Sequence, residues 1–159
     1  HKYLIEAMAN VIEQRKGVIC FIVGEGKLKS KLNKQVMSAG LQDYVKFVGG
    51  RSHSEIPLWI NACDIFVLPS LNEGNPTVMF ECLGCGKPFI GTKVGGIPNI
   101  ILSDDYGVLC EPAKSKELAE NILLAFDNNW DPYLIKKYSA HFSWDKISKQ
   151  ILQIYSSYN

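Results

Sequence analysis

The sequence has no excess of either charge, no long apolar run and no recognisable metal-binding motif. Its 17 basic and 16 acidic residues leave a net charge of +1 over 159 residues. That balance predicts no nucleic-acid partner and no polybasic membrane contact. No apolar run approaches the length of a membrane span, and no segment resembles a signal peptide. The length suits a single domain, 1–159, with a core of ordinary size.

The cysteines and histidines form no ligand or disulfide pattern. The five cysteines are scattered through apolar stretches, as small buried residues would be in a reducing, cytoplasmic compartment. Cys82 and Cys85 do form a C-x-x-C, but no second pair and no nearby His–His spacing accompany it. We therefore predict no metal site and no redox role for these residues.

Short apolar segments alternate with amphipathic ones along the chain. The predicted strands are 18–23, 45–48, 65–68, 89–92 and 107–110. The predicted helices are 2–15, 28–39, 54–62 with Ser54 as its cap, 76–83 and 115–126, followed by C-terminal helices at about 131–158. This alternation predicts an α/β fold, with a Rossmann-like parallel sheet covered by helices on both faces.

Glycine loops follow several of the predicted strands. In a parallel sheet, ligands bind beyond the carboxyl ends of the strands, so loops 24–26, 49–50 and 95–96 should gather at one edge. The loop from Gly24 to Gly26 lacks the third glycine of a dinucleotide fingerprint, because position 29 is lysine. A tight strand-to-helix turn and a loop lining a nucleotide cleft both remain open for it.

The segment 69–81, P-S-L-N-E-G-N-P-T-V-M-F-E, combines a strand end, a polar loop and a helix start. Asn75 is the predicted helix cap and Pro76 the first helical residue, because proline has no N–H that needs a partner there. The free N–H groups of Thr77 and Val78 would then point out of the helix, where an anion such as phosphate can bind.

Two glutamates flank this predicted anion site. Glu73 lies in the loop, and Glu81 lies about 7 Å along the helix axis at 1.5 Å per residue. Carboxylates beside a phosphate would repel it unless they accept hydrogen bonds from neutral donors, and sugar hydroxyls are such donors. The pair could therefore hold the two ends of a sugar–diphosphate–ribose ligand. The alternative is that both glutamates are solvated surface charges.

Taken together, several motifs resemble a known family. The pattern P-S-x-x-E-G-x-P-x-x-x-x-E, with G-C-G-K-P at 84–88, Thr92 and V-G-G-I-P at 94–98, is similar to the C-terminal, donor-binding domain of the retaining GT4-type glycosyltransferases of group 1. The resemblance covers nearly the whole chain. It implies the C-terminal half of a GT-B fold and a nucleotide-diphosphate sugar, UDP- or GDP-linked, as substrate, with no cofactor and no metal.

The resemblance also implies roles for individual residues. Glu73 would be the catalytic carboxylate beside the donor sugar, and Glu81 would hold the ribose hydroxyls. The remaining donor-binding residues would be Gly74, Asn75, Pro76, Thr77, Val78, Gly24, Gly26, Arg51, Gly95 and Gly96. Asn99 stands where the family often has glutamate, which is a local departure from the pattern.

The same resemblance implies that important parts lie outside the chain. The first strand, the acceptor-binding domain, and an arginine and a lysine that neutralise the diphosphate would precede His1. We therefore expect the isolated fragment to bind nucleotide weakly and not to catalyse transfer. The expected function is sugar transfer to a glycan or lipid-linked saccharide in polysaccharide biosynthesis, with any contact with the inner face of the membrane made through the missing half.

Two alternatives from other classes remain open. One is a non-catalytic nucleotide-binding α/β domain, and the other is an inverting transferase or epimerase on the same scaffold. A dinucleotide-dependent dehydrogenase is disfavoured because the third glycine is absent.

Overall fold

The computed structural model describes residues 1–157, which form eight α-helices and five β-strands. The strands are β1 Cys20–Val23, β2 Val45–Gly49, β3 Phe66–Leu68, β4 Phe89–Thr92 and β5 Gly107–Cys110. The helices are α1 Lys2–Gln14, α2 Lys29–Ser38, α3 Ile56–Ala62, α4 Thr77–Gly84, α5 Ile97–Ile100, α6 Ser115–Asp127, α7 Pro132–Ser139 and α8 Trp144–Ser156, with a short 3-10 turn at Ala140–Phe142.

All strand pairs are parallel, and they form two groups. β1 pairs with β2, while β4 lies between β3 and β5. In residues 1–157 no strand ladder joins β1 to β3, so the single sheet expected from the sequence is divided at that point. The division leaves β3 with one paired edge. Its residues are only half-buried, although the continuous apolar run at 65–68 predicts a strand buried on both faces.

Helices cover both faces of the strands. β4 shows this best, because its successive side chains point to opposite faces. Ile90 packs into a core that α1, α2 and α6 share with β1 and β2, whereas Phe89 packs into a second core with α3, α4, α5 and α7. Both side chains are fully buried. The α/β fold class predicted from the alternating pattern is confirmed.

The starts of β1 and α3 differ from the prediction, and local hydrogen bonds explain the second of these. β1 begins at Cys20 rather than at 18. α3 begins at Ile56, and Ser54 is not its cap. Instead, the backbone N–H and the hydroxyl of Ser52 both donate to the Glu55 carboxylate, at 3.0 and 2.7 Å. The hydroxyl bond is the main cause that lowers the pKa of Glu55.

The C-terminal helices form as predicted up to the last described residue. Asp131 caps α7, because its carboxylate accepts hydrogen bonds from the N–H groups of Tyr133 and Leu134 at 2.9 and 3.2 Å. α8 carries an apolar stripe, but most of that stripe is exposed, including Trp144 at 84%. The predicted end of this helix at 158 lies outside the described residues.

Within residues 1–157, no helix combines the length and the apolar character needed to cross a bilayer.

Candidate functional site

The N-terminus of α4 opens at the carboxyl edge of the sheet. β3 ends at Leu68, and the polar loop that follows leads into α4 at Thr77. Pro76 is the cap residue, with φ −68° and ψ 120°, so the helix begins one residue later than predicted. Thr77 and Val78 are the first two helical residues, and their N–H groups have no hydrogen-bond partner within residues 1–157. Such groups, together with the helix dipole, favour an anion.

Asn75 does not cap the helix because its side chain is used elsewhere. Its amide oxygen lies against Gly96, where an added Cβ would collide with it. The neighbouring Gly74 carbonyl accepts a hydrogen bond from the Gly96 N–H at 2.7 Å. A contact between two loops distant in sequence therefore overrides the local preference for asparagine at a helix cap.

Gly95 is required by the same contact. Its φ of +54° is a left-handed conformation, and a Cβ there would collide with the backbone carbonyl of Glu73. Gly95 and Gly96 thus give the Glu73 loop the room to pack closely against the loop after β4. This packing is a structural reason for both glycines. Their contact with the donor stays a prediction.

The Glu73 side chain is half-buried and held by a neighbour. The hydroxyl of Ser70 donates a hydrogen bond to Glu73 Oε1 at 2.6 Å. Ser70 is itself fixed, since the hydroxyl of Thr92 donates to its backbone carbonyl at 2.6 Å. The second carboxylate oxygen, Oε2, has no hydrogen-bond or ion-pair partner in the part of the chain that the structure describes.

Glu81 lies on the face of α4 that also carries Thr77. The two residues are four apart, and such residues are neighbours on a helix surface. The opposite side of α4 is buried through Met79, Cys82 and Leu83, whereas Glu81 is half-buried. Its carboxylate makes no ion pair within residues 1–157. It is therefore free to accept hydrogen bonds from a ligand one turn behind the helix mouth.

Two further predicted loops meet at the carboxyl ends of β1 and β2. The Gly24 N–H donates to the Gly49 carbonyl at 2.9 Å. The Glu25 side chain lies over Gly50, with its Cγ 3.3 Å from the position of an added Cβ. Gly24 and Gly26 therefore lie in a turn that contacts the loop at 49–50, which leaves both interpretations of this turn open.

Arg51 is exposed, and an aromatic side chain orients it. Its guanidinium donates to the Val48 carbonyl at 2.6 Å and lies 5.4 Å from the ring centre of Trp59. Trp59 in turn contacts Phe21, with ring centres 5.9 Å apart. This arrangement holds the cation near the end of β2. Its role in donor binding stays a prediction.

Several of the thiols lie in or against the core, where burial raises their pKa. All five cysteines are free, and within the described residues no group of histidines, cysteines and carboxylates is arranged to hold a metal ion. Burial raises the pKa of Cys20 and of Cys110 to about 11. It also raises the pKa of Cys82 well above its ordinary value. Protonated thiols are poor nucleophiles and poor metal ligands.

Two surface grooves include neither the loop that carries Glu73 nor the mouth of α4. One of about 460 Å³ is lined by the starts of β1 and β3 and by the end of α6, and another of about 530 Å³ lies beside α5 and β5. The first is at the amino ends of the strands, where parallel sheets do not bind ligands. The candidate site is instead an open rim, formed by the loop at 69–76, the mouth of α4 and the loop at 93–96.

The sequence prediction gives no role to three residues that make contacts here, Ser70 and Thr92 beside Glu73 and Glu25 at the ends of β1 and β2. Ser70 and Thr92 belong to the quoted motifs, and Glu25 belongs to a glycine loop. The Ser70–Glu73 spacing of three is a usable local signal, since serine commonly bonds within such short loops. The contacts of Thr92 and Glu25 join segments distant in sequence, so no local pattern predicts them.

Comparison with known proteins places these features in a family. The profile of the family described as "Glycosyl transferases group 1" matches residues 1–151. An uncharacterised glycosyltransferase of Methanocaldococcus jannaschii, MJ1178, is 30% identical over 84% of this chain and 39% of its own length. The chain therefore spans about two fifths of that relative.

Solved structures of glycosyltransferases also match the fold of this chain. Anabaena Alr3699/HepE in complex with UDP-glucose superposes with a TM-score of 0.81 and is 29% identical, over 98% of this chain and 44% of that one. The C-terminal domain of a group 1 family glycosyl transferase (LpcC) from Francisella tularensis gives a TM-score of 0.72 at 28% identity, over 94% of this chain and 78% of that one.

Proposed function

Because this chain belongs to the group 1 glycosyl transferase family, we propose that it is the C-terminal, donor-binding domain of a retaining GT4-type glycosyltransferase. The whole protein would transfer a sugar from a nucleotide-diphosphate sugar to a glycan or a lipid-linked saccharide. The match to a C-terminal domain solved on its own supports the domain assignment. The UDP-glucose complex of the Anabaena protein favours a UDP-sugar over a GDP-sugar as donor.

The observation that carries this proposal is the mouth of α4, whose first N–H groups have no partner within residues 1–157, with Glu73 in the preceding loop and Glu81 on the helix itself. In the described part of the chain the N–H groups of Thr77 and Val78 have no partners, and Glu81 lies one turn behind Thr77 on the same face. Glu73 lies in the preceding loop, and its Oε2 has no partner among the same residues. A diphosphate at the helix mouth would thus have hydroxyl acceptors on both sides, which matches a nucleotide sugar better than a simple anion.

The proposed chemistry is stabilisation of the leaving group. When the bond between the anomeric carbon and the diphosphate oxygen breaks, its electron pair stays with the diphosphate. The N–H groups of Thr77 and Val78 would meet the negative charge that develops there, and preorganised donors of this kind are worth most in the transition state. Glu73 would bind a sugar hydroxyl and stabilise positive charge at the anomeric carbon. Glu81 would hold the ribose.

Several features of the whole protein follow as proposals. The acceptor site and the cationic side chains that neutralise the diphosphate would lie in the part of the protein outside this chain. The isolated chain would then bind nucleotide weakly and not turn over. We place the protein in the cytoplasm, with contact at the inner face of the membrane made through the other half.

Substitution of Glu73 in the full-length protein tests the proposal. Glu73→Gln should lower kcat/KM by about 10²-fold or more, since removing one group that stabilises transition-state charge costs about 3 kcal/mol. Glu81→Gln should act chiefly on donor affinity, measured by calorimetry with UDP and GDP. Glu120→Gln, an exposed carboxylate on α6, is the matched control.

The outcomes separate the alternatives. Unchanged transfer by Glu73→Gln would favour a non-catalytic nucleotide-binding domain. A product of inverted anomeric configuration, determined by NMR, would favour an inverting transferase on the same scaffold.

A further inference from the structure

We propose that Ser70 is a positioning residue that fixes the carboxylate of Glu73, and that Thr92 fixes Ser70 in turn. This inference rests on the proposed function, because it assigns Glu73 to the donor sugar. Its basis is a chain of two short hydrogen bonds. Thr92 Oγ1 donates to the Ser70 carbonyl, and Ser70 Oγ donates to Glu73 Oε1, each at 2.6 Å.

The first of these hydrogen bonds starts from Thr92, at the end of a strand that is paired on both edges. Thr92 is the last residue of β4, which is paired on both edges, and its side chain is only 2% exposed. A buried hydroxyl needs a hydrogen-bond partner, and the Ser70 carbonyl supplies it. Thr92 is the one buried polar side chain within residues 1–157. The loop that carries Glu73 is therefore tied to the best-supported strand in the fold.

A second hydrogen bond holds the loop on the other side of Glu73. The Gly96 N–H donates to the Gly74 carbonyl at 2.7 Å, as described above. The Thr92–Ser70 and Gly96–Gly74 hydrogen bonds both connect the loop at 70–74 to the segment 92–96. Glu73 lies between them in sequence. The backbone of Glu73 is thus held on both sides, and its side chain is held by Ser70. Few rotamers of this carboxylate remain free.

This arrangement divides the two carboxylate oxygens between two tasks. Oε1 accepts the serine hydroxyl, while Oε2 has no partner in the described part of the chain. Oε2 is therefore the atom that can accept a sugar hydroxyl from the donor. A carboxylate already held in place loses less rotamer freedom when it binds, so more of its interaction energy remains for the transition state. Without Ser70, the carboxylate would rotate among several positions.

The competing explanation is that Ser70 only closes a turn after β3. In that case its substitution would alter stability, and any loss of activity would follow the loss of folded protein. A positioning role predicts a different pattern. It requires the catalytic step to fall while nucleotide affinity and folding are kept, and it requires a conservative hydroxyl to restore the rate.

The experiment uses the full-length protein and follows nucleoside diphosphate release. UDP-glucose, UDP-galactose, UDP-N-acetylglucosamine and GDP-mannose are compared first, and the fastest donor is kept. Ser70→Ala should lower kcat/KM about tenfold, which corresponds to about 1.4 kcal/mol. Affinity for the nucleoside diphosphate alone should stay within about twofold by calorimetry. Ser70→Thr keeps the hydroxyl and should recover most of the rate.

The hydrogen bond from Thr92 to the Ser70 carbonyl is tested in the same way. Thr92→Val removes the hydroxyl at nearly constant volume and should lower kcat/KM several-fold, whereas Thr92→Ser should not. If Ser70→Ala does not fold, Ser70→Cys keeps the side-chain volume with a weaker donor and replaces it in the comparison.

A double variant shows whether Ser70 acts through Glu73. If it does, Ser70→Ala should cause little further loss in the Glu73→Gln background, because coupled residues are not additive. Losses that multiply would overturn the positioning role, and so would a Ser70→Ala protein with the wild-type rate or a Ser70→Thr protein as slow as Ser70→Ala. Wild-type transfer by Glu73→Gln alone would instead overturn the proposed function itself.

Discussion

Substitution of Gly95 by alanine should disturb the loop that carries Glu73. A Cβ at residue 95 would collide with the Glu73 carbonyl, and the backbone has φ of +54°. The left-handed conformation alone costs an L-residue about 1–2 kcal/mol. The collision adds to that, because the two loops must separate and the Gly96–Gly74 hydrogen bond must stretch. We expect a total loss of about 2–3 kcal/mol in the free energy of unfolding.

This loss can be measured by thermal unfolding. In a domain of this size about 1 kcal/mol shifts Tm by about 2–4 °C, so Gly95→Ala should lower Tm by about 4–12 °C. Gly84→Ala is the matched control. Gly84 lies in the last turn of α4, is exposed, and has no atoms near an added Cβ. Alanine there should leave Tm unchanged or raise it slightly. A Gly95→Ala protein as stable as the wild type would refute the loop contact.

Three further predictions concern the core, a helix cap and pH. Phe89→Ala empties a fully buried site in β4 and should cost about 3–5 kcal/mol in chemical denaturation; a loss below about 1 kcal/mol would contradict the packing. Asp131→Ala removes two cap hydrogen bonds at α7 and should cost about 1 kcal/mol, whereas Asp131→Asn should keep most of the stability. Burial raises the pKa of Cys20 and Cys110 from 9.0 to about 11, so the stability linked to these thiols is present below pH 9 and is lost as the pH rises through 11. Replacing both cysteines by alanine should make the free energy of unfolding, measured by chemical denaturation, fall less between pH 9 and pH 11. An unchanged fall would show that other groups cause it.

The strand, the loop and the helix around Glu73 could be predicted because their signals are local. An apolar run, a proline that ends it and a second proline near a helix start lie within a dozen residues. The start of α4 was nevertheless displaced by one residue. The reason is the contact between Asn75 and Gly96, which are 21 positions apart and brought together only by the fold.

The pairing of the strands could be predicted only in part. Alternation of strands and helices indicates a parallel sheet, and β3, β4 and β5 form one. Which strands pair depends on contacts distant in sequence, and no local pattern shows that β1 and β3 are unpaired with each other. The exposure of α8 has the same origin. Its apolar stripe predicts a helix with one buried face, but only packing partners decide whether that face is covered.

The placement of the two carboxylates depends partly on local sequence and partly on contacts that are distant in sequence. The position of Glu81 relative to the helix mouth follows from helix geometry once the start of α4 is known. The hydrogen bonds that orient Glu73 depend on Thr92, which comes from a different strand. Sequence reasoning therefore predicts where the two carboxylates lie along the chain, but it does not show how Glu73 is held. Their roles in donor binding stay predictions.

The most direct test of the central claim is an NMR titration of the protein with UDP and with UDP-glucose, in which the backbone amides of α4 are followed. The account predicts that the amides of Thr77 and Val78 shift on addition of UDP, and that Glu73 and Ser70 respond further when the sugar is present. Shifts confined to the groove beside β5, or to the lysine-rich helix α2, would contradict it.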